Sequence, residues 1–551
     1  MRAFVLFTSA VGLLAAACAT GDSGVLVALD AMTGEELAYH TAALASDAFE
    51  GRGPSSPGED STVAYLEREF RALGLEPGNG TSYFQDVSLV SITADPATAS
   101  FTVRGDGGIS RFRYGPDFIT GSWRVREQVD VRNADIVFVG YGIVAPEYGW
   151  DDYAGIDARG KTVVMLVNDP GFATKDTTLF TGDAMTYYGR WTYKFEEASR
   201  QGAAAALVIH ETEAASYPWD VVRNSWSGEQ FHMASEDDNM SRVPVEGWIS
   251  AETARILFQR AGLDFAVQTA RAATREFRAV PLRLQASFAL RNAIRRSTSR
   301  NVVARLVGST RPDEHVVYMA HWDHLGKDPT LEGDQIFNGA QDNASGTAGL
   351  LLLARAFTQV TPPPERSILF LAVTAEEQGL LGSEYYATHP LFPLNRTVAA
   401  INMDVLDVYG PMRDITVVGL GQSELDDYLT DAAREQGRSV RPDPNPSAGY
   451  YYRSDHFSFA NMGVPALYTN VGVDNIEHGE AWAREQMDRY EAEDYHKPSD
   501  EFDATWNLQG AINDLRLLFL VGYRLANETT WPSWSEGSEF KARRDSMMTT
   551  R

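Results

Sequence analysis

Cysteine is almost absent from this sequence, since Cys18 is the only one among 551 residues. One cysteine cannot form a disulfide within a single chain. Any metal site elsewhere in the chain must therefore use imidazole nitrogen and carboxylate oxygen as ligands. That donor set suits zinc best and leaves cobalt or manganese open.

Positive charge is also scarce. The chain has 48 Lys and Arg residues against 75 Asp and Glu residues, which gives a formal net charge of −27 at pH 7. Such a chain is repelled by the phosphate backbone, so no nucleic-acid partner is expected. The share of hydrophobic residues, 44%, is that of an ordinary globular protein, and the length allows two or three domains.

The longest apolar run at the N-terminus is too short for a membrane span. MRAFVLFTSAVGLLAAAC has one Arg, an apolar stretch of about 15 residues and small residues before Cys18. This pattern predicts a signal segment over residues 1–18 and an exported protein. The position of Cys18 also resembles a bacterial lipobox, although Leu14 lies four residues before it instead of three. We therefore expect a periplasmic lipoprotein anchored through lipid on Cys18; the alternative is ordinary signal cleavage with an incidental cysteine.

Three strand-like apolar runs each lead into an ionisable side chain. They are nearly continuous in hydrophobic residues, as expected of strands buried on both faces. The runs are residues 316–320, 367–374 and 398–403, and the ionisable residues that follow them are His321, Glu376 and Asp404. Open α/β sheets place their chemistry at the carboxyl ends of strands, so these side chains are expected to meet.

Each of these residues also has a plain structural interpretation. A lone histidine such as His321 is often a core residue, Asp342 could cap the helix that follows it, and Asp404 could form an ordinary salt bridge. The adjacent pair Glu376 and Glu377 is harder to explain, because two neighbouring carboxylates repel each other unless a cation holds them. One of them can bind a metal while the other acts as a base. The combination favours a metal site.

Five motifs in order resemble the M28 family of cocatalytic zinc peptidases. They are AHWDHLG, NGAQDNASG, TAEEQGLLGS, NMD and DYHKPSDEF. The resemblance implies two Zn²⁺ ions, with Asp342 as the bridging ligand and a cis peptide bond between Asp342 and Asn343. It further implies that the remaining metal ligands are His321, Glu377, Asp404 and His496. Glu376 would be the general acid and base, and Asp323 would orient His321.

The same resemblance suggests substrate contacts. His456 in the SDH-x-x-F motif would stabilise the developing oxyanion, and Tyr452 would line the substrate cleft. Asp500, four residues after His496, is expected to accept a hydrogen bond from that histidine.

The predicted fold is α/β, a mixed β-sheet sandwiched by helices, with an inserted, mainly β domain. The inserted segment carries Gly160-Lys161 before a strand and Gln201-Gly202-Ala203 after a helix, which resembles a protease-associated domain. The predicted division is 25–124 and 271–530 for the catalytic domain, 125–270 for the insertion and 531–551 for a polar C-terminal tail.

The resemblance predicts an exported dizinc exopeptidase acting on peptides, most often an aminopeptidase. A carboxypeptidase or dipeptidase could use the same site. Two further alternatives are a catalytically inactive, receptor-like homologue and a glutaminyl cyclase with a single zinc. Substrate preference and oligomeric state stay open.

Overall fold

The structure is a computed structural model and describes residues 24–549. The predicted signal segment and Cys18 lie outside the described residues. Within 24–549, no helix is long and apolar enough to cross a membrane.

The chain divides into two compact units. The first comprises the chain up to Val87, Ser299–Asp443 and the part from Arg453 onward, and the second comprises Ser88–Thr298 and Pro444–Tyr452. The second unit is wider than the insertion predicted at 125–270. The reason is strand pairing, because Gln128–Phe138 and Ser100–Gly105 both pair with residues between Val280 and Arg291. Segments on both sides of 125–270 thus complete one sheet.

Eight strands of a mixed β-sheet organise the first unit. In chain order they are β1 (Glu76–Pro77), β2 (Val280–Leu306, of which Ser299–Leu306 belongs to this unit), β3 (Arg311–His321), β4 (Arg366–Val373), β5 (Thr397–Asn402), β6 (Asp414–Val417), β7 (Ser439–Pro442) and β8 (Ala466–Asn470). Their spatial order is β1-β2-β4-β3-β5-β8-β6-β7. The strand Phe84–Ala94 also pairs with β2. The central pairs β4-β3, β3-β5 and β5-β8 are parallel, and β2 joins β4 antiparallel. The prediction of a mixed α/β sheet is confirmed.

The predicted central strands are buried, as their composition requires. Every residue of β4 and β5 is buried, and so is the second half of β3. The helices of this unit are Gly34–Leu44, Pro57–Ala72, Ser345–Thr358, Leu381–Thr388, Leu425–Glu435, His456–Asn461, Glu480–Glu493, Gln509–Asn527 and Lys541–Met548. Ser345–Thr358 is buried at nearly every position, which explains why its sequence is apolar on all sides. At the start of Pro57–Ala72, the Ser56 hydroxyl accepts from the backbone of Gly58 at 3.1 Å.

The second unit has its own mixed sheet. Its parallel strands are Gln128–Phe138, Thr162–Leu166, Ala205–His210 and Val245–Ser250, in that spatial order. Phe118–Gly121 pairs antiparallel with the last of them, and Ser100–Gly105 pairs antiparallel with Gly108–Phe112. Its helices of eight or more residues are Trp191–Arg200, Ala251–Arg260 and Phe265–Ala272. None of the predicted metal ligands lies in this unit.

The C-terminal segment differs from the polar tail predicted at 531–551. It contains the helix Lys541–Met548 and buries Trp534, Phe540 and Arg544. The Trp534 indole N–H donates to the carbonyl of Gly463 at 2.9 Å. A few large side chains anchor a segment whose overall composition is polar.

Candidate metal centre

The strand register brings the predicted ligands to one edge of the sheet. His321, the last residue of β3, pairs with Val373 at the end of β4. Asn402 at the end of β5 pairs with Met319. Glu376, Glu377 and Asp404 follow these strand ends within a few residues, so they lie beside His321.

Asp342 reaches the same edge from a tight turn over Ala340–Ala344, directly before the helix Ser345–Thr358. The peptide bond between Asp342 and Asn343 is cis, as the resemblance predicts. The Asn343 side chain donates to the carbonyl of Met403 at 3.1 Å and accepts from the backbone of Val405 at 3.2 Å. Asn343 therefore connects the Asp342 turn to the loop that carries Asp404.

The two oxygens of Asp342 face two different groups of ligands. Its Oδ1 lies 3.4 Å from Nε2 of His321, and that nitrogen lies 3.2 Å from Oδ1 of Asp404. Its Oδ2 lies 3.3 Å from Nε2 of His496, and that nitrogen lies 3.1 Å from Oε2 of Glu377. Asp342 is thus the shared member of two three-residue groups, and the ligand atoms of His321, Asp342 and Glu377 lie within 4.8 Å of one another.

These distances fit tetrahedral zinc. Bonds of about 2.0–2.1 Å place neighbouring ligand atoms of a tetrahedron about 3.3–3.4 Å apart. The four measured separations run from 3.1 to 3.4 Å. Three protein ligands in each group leave one position open, which is the arrangement of catalytic zinc sites.

The electrostatics of the centre favour positive charge. Burial would lower the pKa of His321, but the surrounding carboxylates raise that pKa well above its usual value. Burial would likewise lower the pKa of His496, and Glu377 and Asp342 raise it to about 10. In the opposite direction, burial would raise the pKa of Asp342, but hydrogen bonds from both histidines hold it well below its ordinary value. A field that stabilises imidazolium in this way also attracts a divalent cation.

Glu376 lies beside this group without belonging to it. Burial raises its pKa well above the ordinary value; His321 opposes this shift, while Asp404 and Glu377 add to it. A carboxylate with a raised pKa accepts a proton readily, which suits a general base.

The backbone is left-handed at three positions of the centre. Ala375, Val405 and His496 have φ values of 53°, 62° and 58°. Such values are unusual for residues other than glycine, and for β-branched Val405 they are rare. Strained backbone of this kind clusters at functional sites, where the surrounding structure holds it in place.

Comparison with known proteins matches part of this chain to one family. Residues 301–520, which are 220 of the 551 residues, match the model of peptidase family M28. Over 215 residues the chain is 28% identical to aminopeptidase YwaD of Bacillus subtilis, covering 38% of this chain and 41% of the relative. Over 130 residues it is 35% identical to aminopeptidase NAALADL1 of Mus musculus, covering 23% and 16%. The matches thus span less than half the length of these curated relatives.

A solved structure shares the fold of this chain. The aminopeptidase from Aneurinibacillus sp. strain AM-1 superposes with a TM-score of 0.51 at 19% sequence identity. The match covers 91% of this chain and 96% of the other.

Two carboxylates of the first unit have partners other than the predicted ones. The Asp323 carboxylate accepts from the backbone N–H of Glu376 at 3.1 Å and of Glu377 at 3.4 Å. Its nearer oxygen is 3.8 Å from Nδ1 of His321, which donates instead to the backbone carbonyl of Asp323 at 3.1 Å. Asp323 orients His321 through its main chain, and its side chain orients the two glutamates.

Asp500 follows the same pattern. Its carboxylate accepts from the backbone N–H of Gln341 at 2.9 Å and of Asp342 at 3.1 Å, and from the Tyr490 hydroxyl at 3.1 Å. Asp500 therefore holds the turn that carries Asp342, whereas the sequence predicted a bond to His496.

The two predicted substrate contacts fall in different units. His456 is completely buried in the first unit, and its ring lies 4.8 Å from that of Tyr468. A side chain without accessible surface does not touch a substrate in this conformation, so the predicted oxyanion contact does not fit. Tyr452 belongs to the second unit and packs on Tyr187, with ring centroids 5.9 Å apart.

Two residues of the centre were missed from the sequence. His324 is buried and its Nδ1 lies 2.6 Å from Oε1 of Glu377. Tyr495 stacks on His496 with ring centroids 3.9 Å apart, and burial raises its pKa well above the usual value, so its hydroxyl remains a donor. Both lie in motifs that resemble the M28 family, AHWDHLG and DYHKPSDEF, next to the predicted site residues Asp323 and His496.

Proposed function

We propose that this protein is a zinc exopeptidase with two metal ions, and that it releases N-terminal residues from peptides. The observation that carries the proposal is the split of Asp342, whose two oxygens each face a separate histidine at 3.4 and 3.3 Å. One group would hold a zinc ion through His321, Asp342 and Asp404. The other would hold a second ion through His496, Asp342 and Glu377.

The zinc ions would polarise the scissile carbonyl and lower the pKa of a bound water towards about 7. Glu376 would take a proton from the attacking water on its carboxylate and would return it to the leaving amine. The Asp323 carboxylate fixes the main chain at Glu376 and Glu377, so that one glutamate is held as ligand and the other as base. Ser454 donates to Oδ2 of Asp404 at 2.6 Å, which leaves Oδ1 directed at His321.

The names of the matched relatives support an aminopeptidase over a carboxypeptidase or a dipeptidase. The relatives YwaD of Bacillus subtilis and NAALADL1 of Mus musculus are both named as aminopeptidases. An inactive, receptor-like homologue is disfavoured, because all five ligand positions and Glu376 retain metal-binding or proton-accepting side chains.

A substrate screen with the purified protein tests this function. Peptides with a free N-terminus, the same peptides N-acetylated, and peptides amidated at the C-terminus are compared before and after chelation. An aminopeptidase cleaves the free and amidated peptides and spares the acetylated ones, and it loses activity with the chelator and regains it with Zn²⁺. Cleavage that requires a free C-terminus would favour a carboxypeptidase, and no cleavage with bound zinc would favour the receptor-like alternative.

We also propose that the protein is exported and anchored by lipid on Cys18. The support is the N-terminal sequence alone, in which the single cysteine follows a run of alanines. Labelling cells with a tagged fatty acid tests this. The wild type should carry label in the membrane fraction, and Cys18→Ser should not; an unlabelled wild type would contradict the anchor.

A further inference from the structure

Arg52 is a buried cation that joins two of the segments that carry proposed metal ligands. Its side chain is almost completely buried. The Nε–H donates to the carbonyl of Trp322 at 2.9 Å, and Nη2 donates to the carbonyl of Gly339 at 2.8 Å. Trp322 lies between His321 and Asp323, and Gly339 lies three residues before the bridging Asp342. One guanidinium thus holds both loops.

The remaining contacts of Arg52 also go to the main chain. Its Nη1 donates to the carbonyls of Leu44 at 2.9 Å and of Asn338 at 2.5 Å. The backbone N–H of His324 donates to the carbonyl of Arg52 at 3.3 Å. Among residues 24–549 no carboxylate forms an ion pair with Arg52. A planar fork with five N–H donors can bind several separate carbonyls at once, which a lysine cannot.

The carboxylates of the metal centre stabilise the buried charge from a distance. Burial lowers the pKa of Arg52 to about 10, and Asp500, Asp342 and Asp323 oppose this shift. The guanidinium therefore stays protonated at neutral pH.

The backbone that presents Arg52 is fixed. Glu50, Gly51 and Arg52 have successive φ values of 45°, 67° and 50°. A Cβ at Gly51 would lie 2.2 Å from the carbonyl oxygen of Gly326 and 2.7 Å from that of Phe337, so only glycine fits there. The segment Glu50–Arg52 therefore packs closely against Gly326 and Phe337, which lie between Asp323 and Asp342 in the chain.

We propose that Arg52 is a positioning residue of the metal centre: it sets the separation between the His321 loop and the Asp342 turn, and hence the affinity for metal. This inference rests on the proposed function, because Arg52 would position ligands of the zinc ions proposed there.

Substitution by lysine separates positioning from charge. Arg52→Lys keeps the positive charge and loses the fork. The matched control is Arg366→Lys. Arg366 is equally buried in the same unit, and it donates to Glu314 at 2.7 Å and to the carbonyls of Leu525 and Thr529 at 2.5 and 3.2 Å. None of these three partners lies in a loop that carries a proposed ligand.

The measurement is the affinity of metal-free protein for Zn²⁺, by competition with a chromophoric chelator, alongside thermal unfolding of the same samples. Residues that support metal ligands typically contribute 10–100-fold to metal affinity. We expect Arg52→Lys to bind Zn²⁺ about 10–100-fold more weakly than the wild type. Arg366→Lys should lose thermal stability and keep wild-type affinity.

Each other outcome has a definite meaning. A wild type that binds no Zn²⁺ would overturn the proposed function itself. Unchanged affinity in Arg52→Lys, or an equal loss in both variants, would overturn the positioning role while leaving the function intact. If Arg52→Lys does not fold, Arg52→Gln is measured in its place; if neither folds and Arg366→Lys does, Arg52 serves the fold and the inference is wrong.

Discussion

Nδ1 of His324 lies 2.6 Å from Oε1 of Glu377. This contact occupies one oxygen of Glu377 and leaves the other, Oε2, directed at His496 at 3.1 Å. His324 and Glu377 are both buried, so the hydrogen bond is shielded from water and the carboxylate has little freedom to rotate.

We therefore expect His324→Phe to weaken metal binding. The aromatic ring keeps the volume of the site but cannot donate to Glu377, and the loss of such a partner typically costs 10–100-fold in metal affinity. Chelator competition with Zn²⁺ measures the effect. His389→Phe, at an exposed histidine of the same unit, is the control and should match the wild type.

Glu376→Gln should remove most of the activity and leave the metal in place. The change deletes the proton acceptor while every proposed ligand remains, and general acid and base groups typically contribute 10²–10⁴-fold. Peptide turnover and zinc content are measured on the same preparation. Turnover near that of the wild type would contradict the role of Glu376, and so would the loss of zinc.

The burial of His315 in β3 should make the stability of the protein sensitive to acid. Burial, with a contribution from Arg305, lowers the pKa of His315 to about 4, against 6.5 in the unfolded chain. Between these two pKa values the unfolded state binds a proton at His315 and the folded state does not. The free energy of unfolding that is present above pH 6.5 is therefore lost as the pH falls towards 4. Between pH 8 and pH 5 the loss should be about 2 kcal/mol.

His315→Phe tests this assignment. Neither ring nitrogen of His315 has a hydrogen-bond partner among the described residues 24–549, and the ring packs on Phe392, so phenylalanine should fit. Urea titrations at pH 8 and pH 5 should show a smaller loss of unfolding free energy in the variant than in the wild type. An identical loss in both proteins would assign the acid sensitivity to other groups.

Trp534 should anchor the C-terminal segment. It is buried and donates to Gly463 at 2.9 Å, so Trp534→Ala leaves a cavity and an unpaired carbonyl. Large aromatic truncations in a core cost about 3–5 kcal/mol. Glu536→Ala, two residues away at a side chain that is 92% exposed, should change the unfolding free energy by less than about 0.5 kcal/mol. Equal values for the two variants would support a loosely attached tail.

The central strands and the ionisable side chains at their ends could be predicted from the sequence, because both depend on local pattern. Continuous apolar runs specify buried strands, and the parallel register of β3, β4 and β5 then gathers His321, Glu377 and Asp404 at one edge. The motif resemblance added Asp342 and the cis bond that follows it.

The partners of Asp323 and Asp500 could not be predicted in this way. A carboxylate accepts hydrogen bonds from the donors that the fold brings near. For both residues these donors include backbone N–H groups of other loops that carry proposed ligands, and sequence spacing does not reveal such contacts. The bounds of the second unit could not be predicted for a similar reason, since they depend on pairing between segments far apart in the chain. The polar composition of the C-terminal segment likewise gave no sign that Trp534 anchors it.

The zinc content of purified protein tests the central claim most directly. Elemental analysis after gel filtration should give about two zinc ions per chain in the wild type and in Glu376→Gln, because both keep the two ligand groups that share Asp342. Asp342→Ala removes a ligand from each group and should retain less than one. A single zinc in the wild type, or two zinc ions retained by Asp342→Ala, would contradict a centre bridged by that carboxylate.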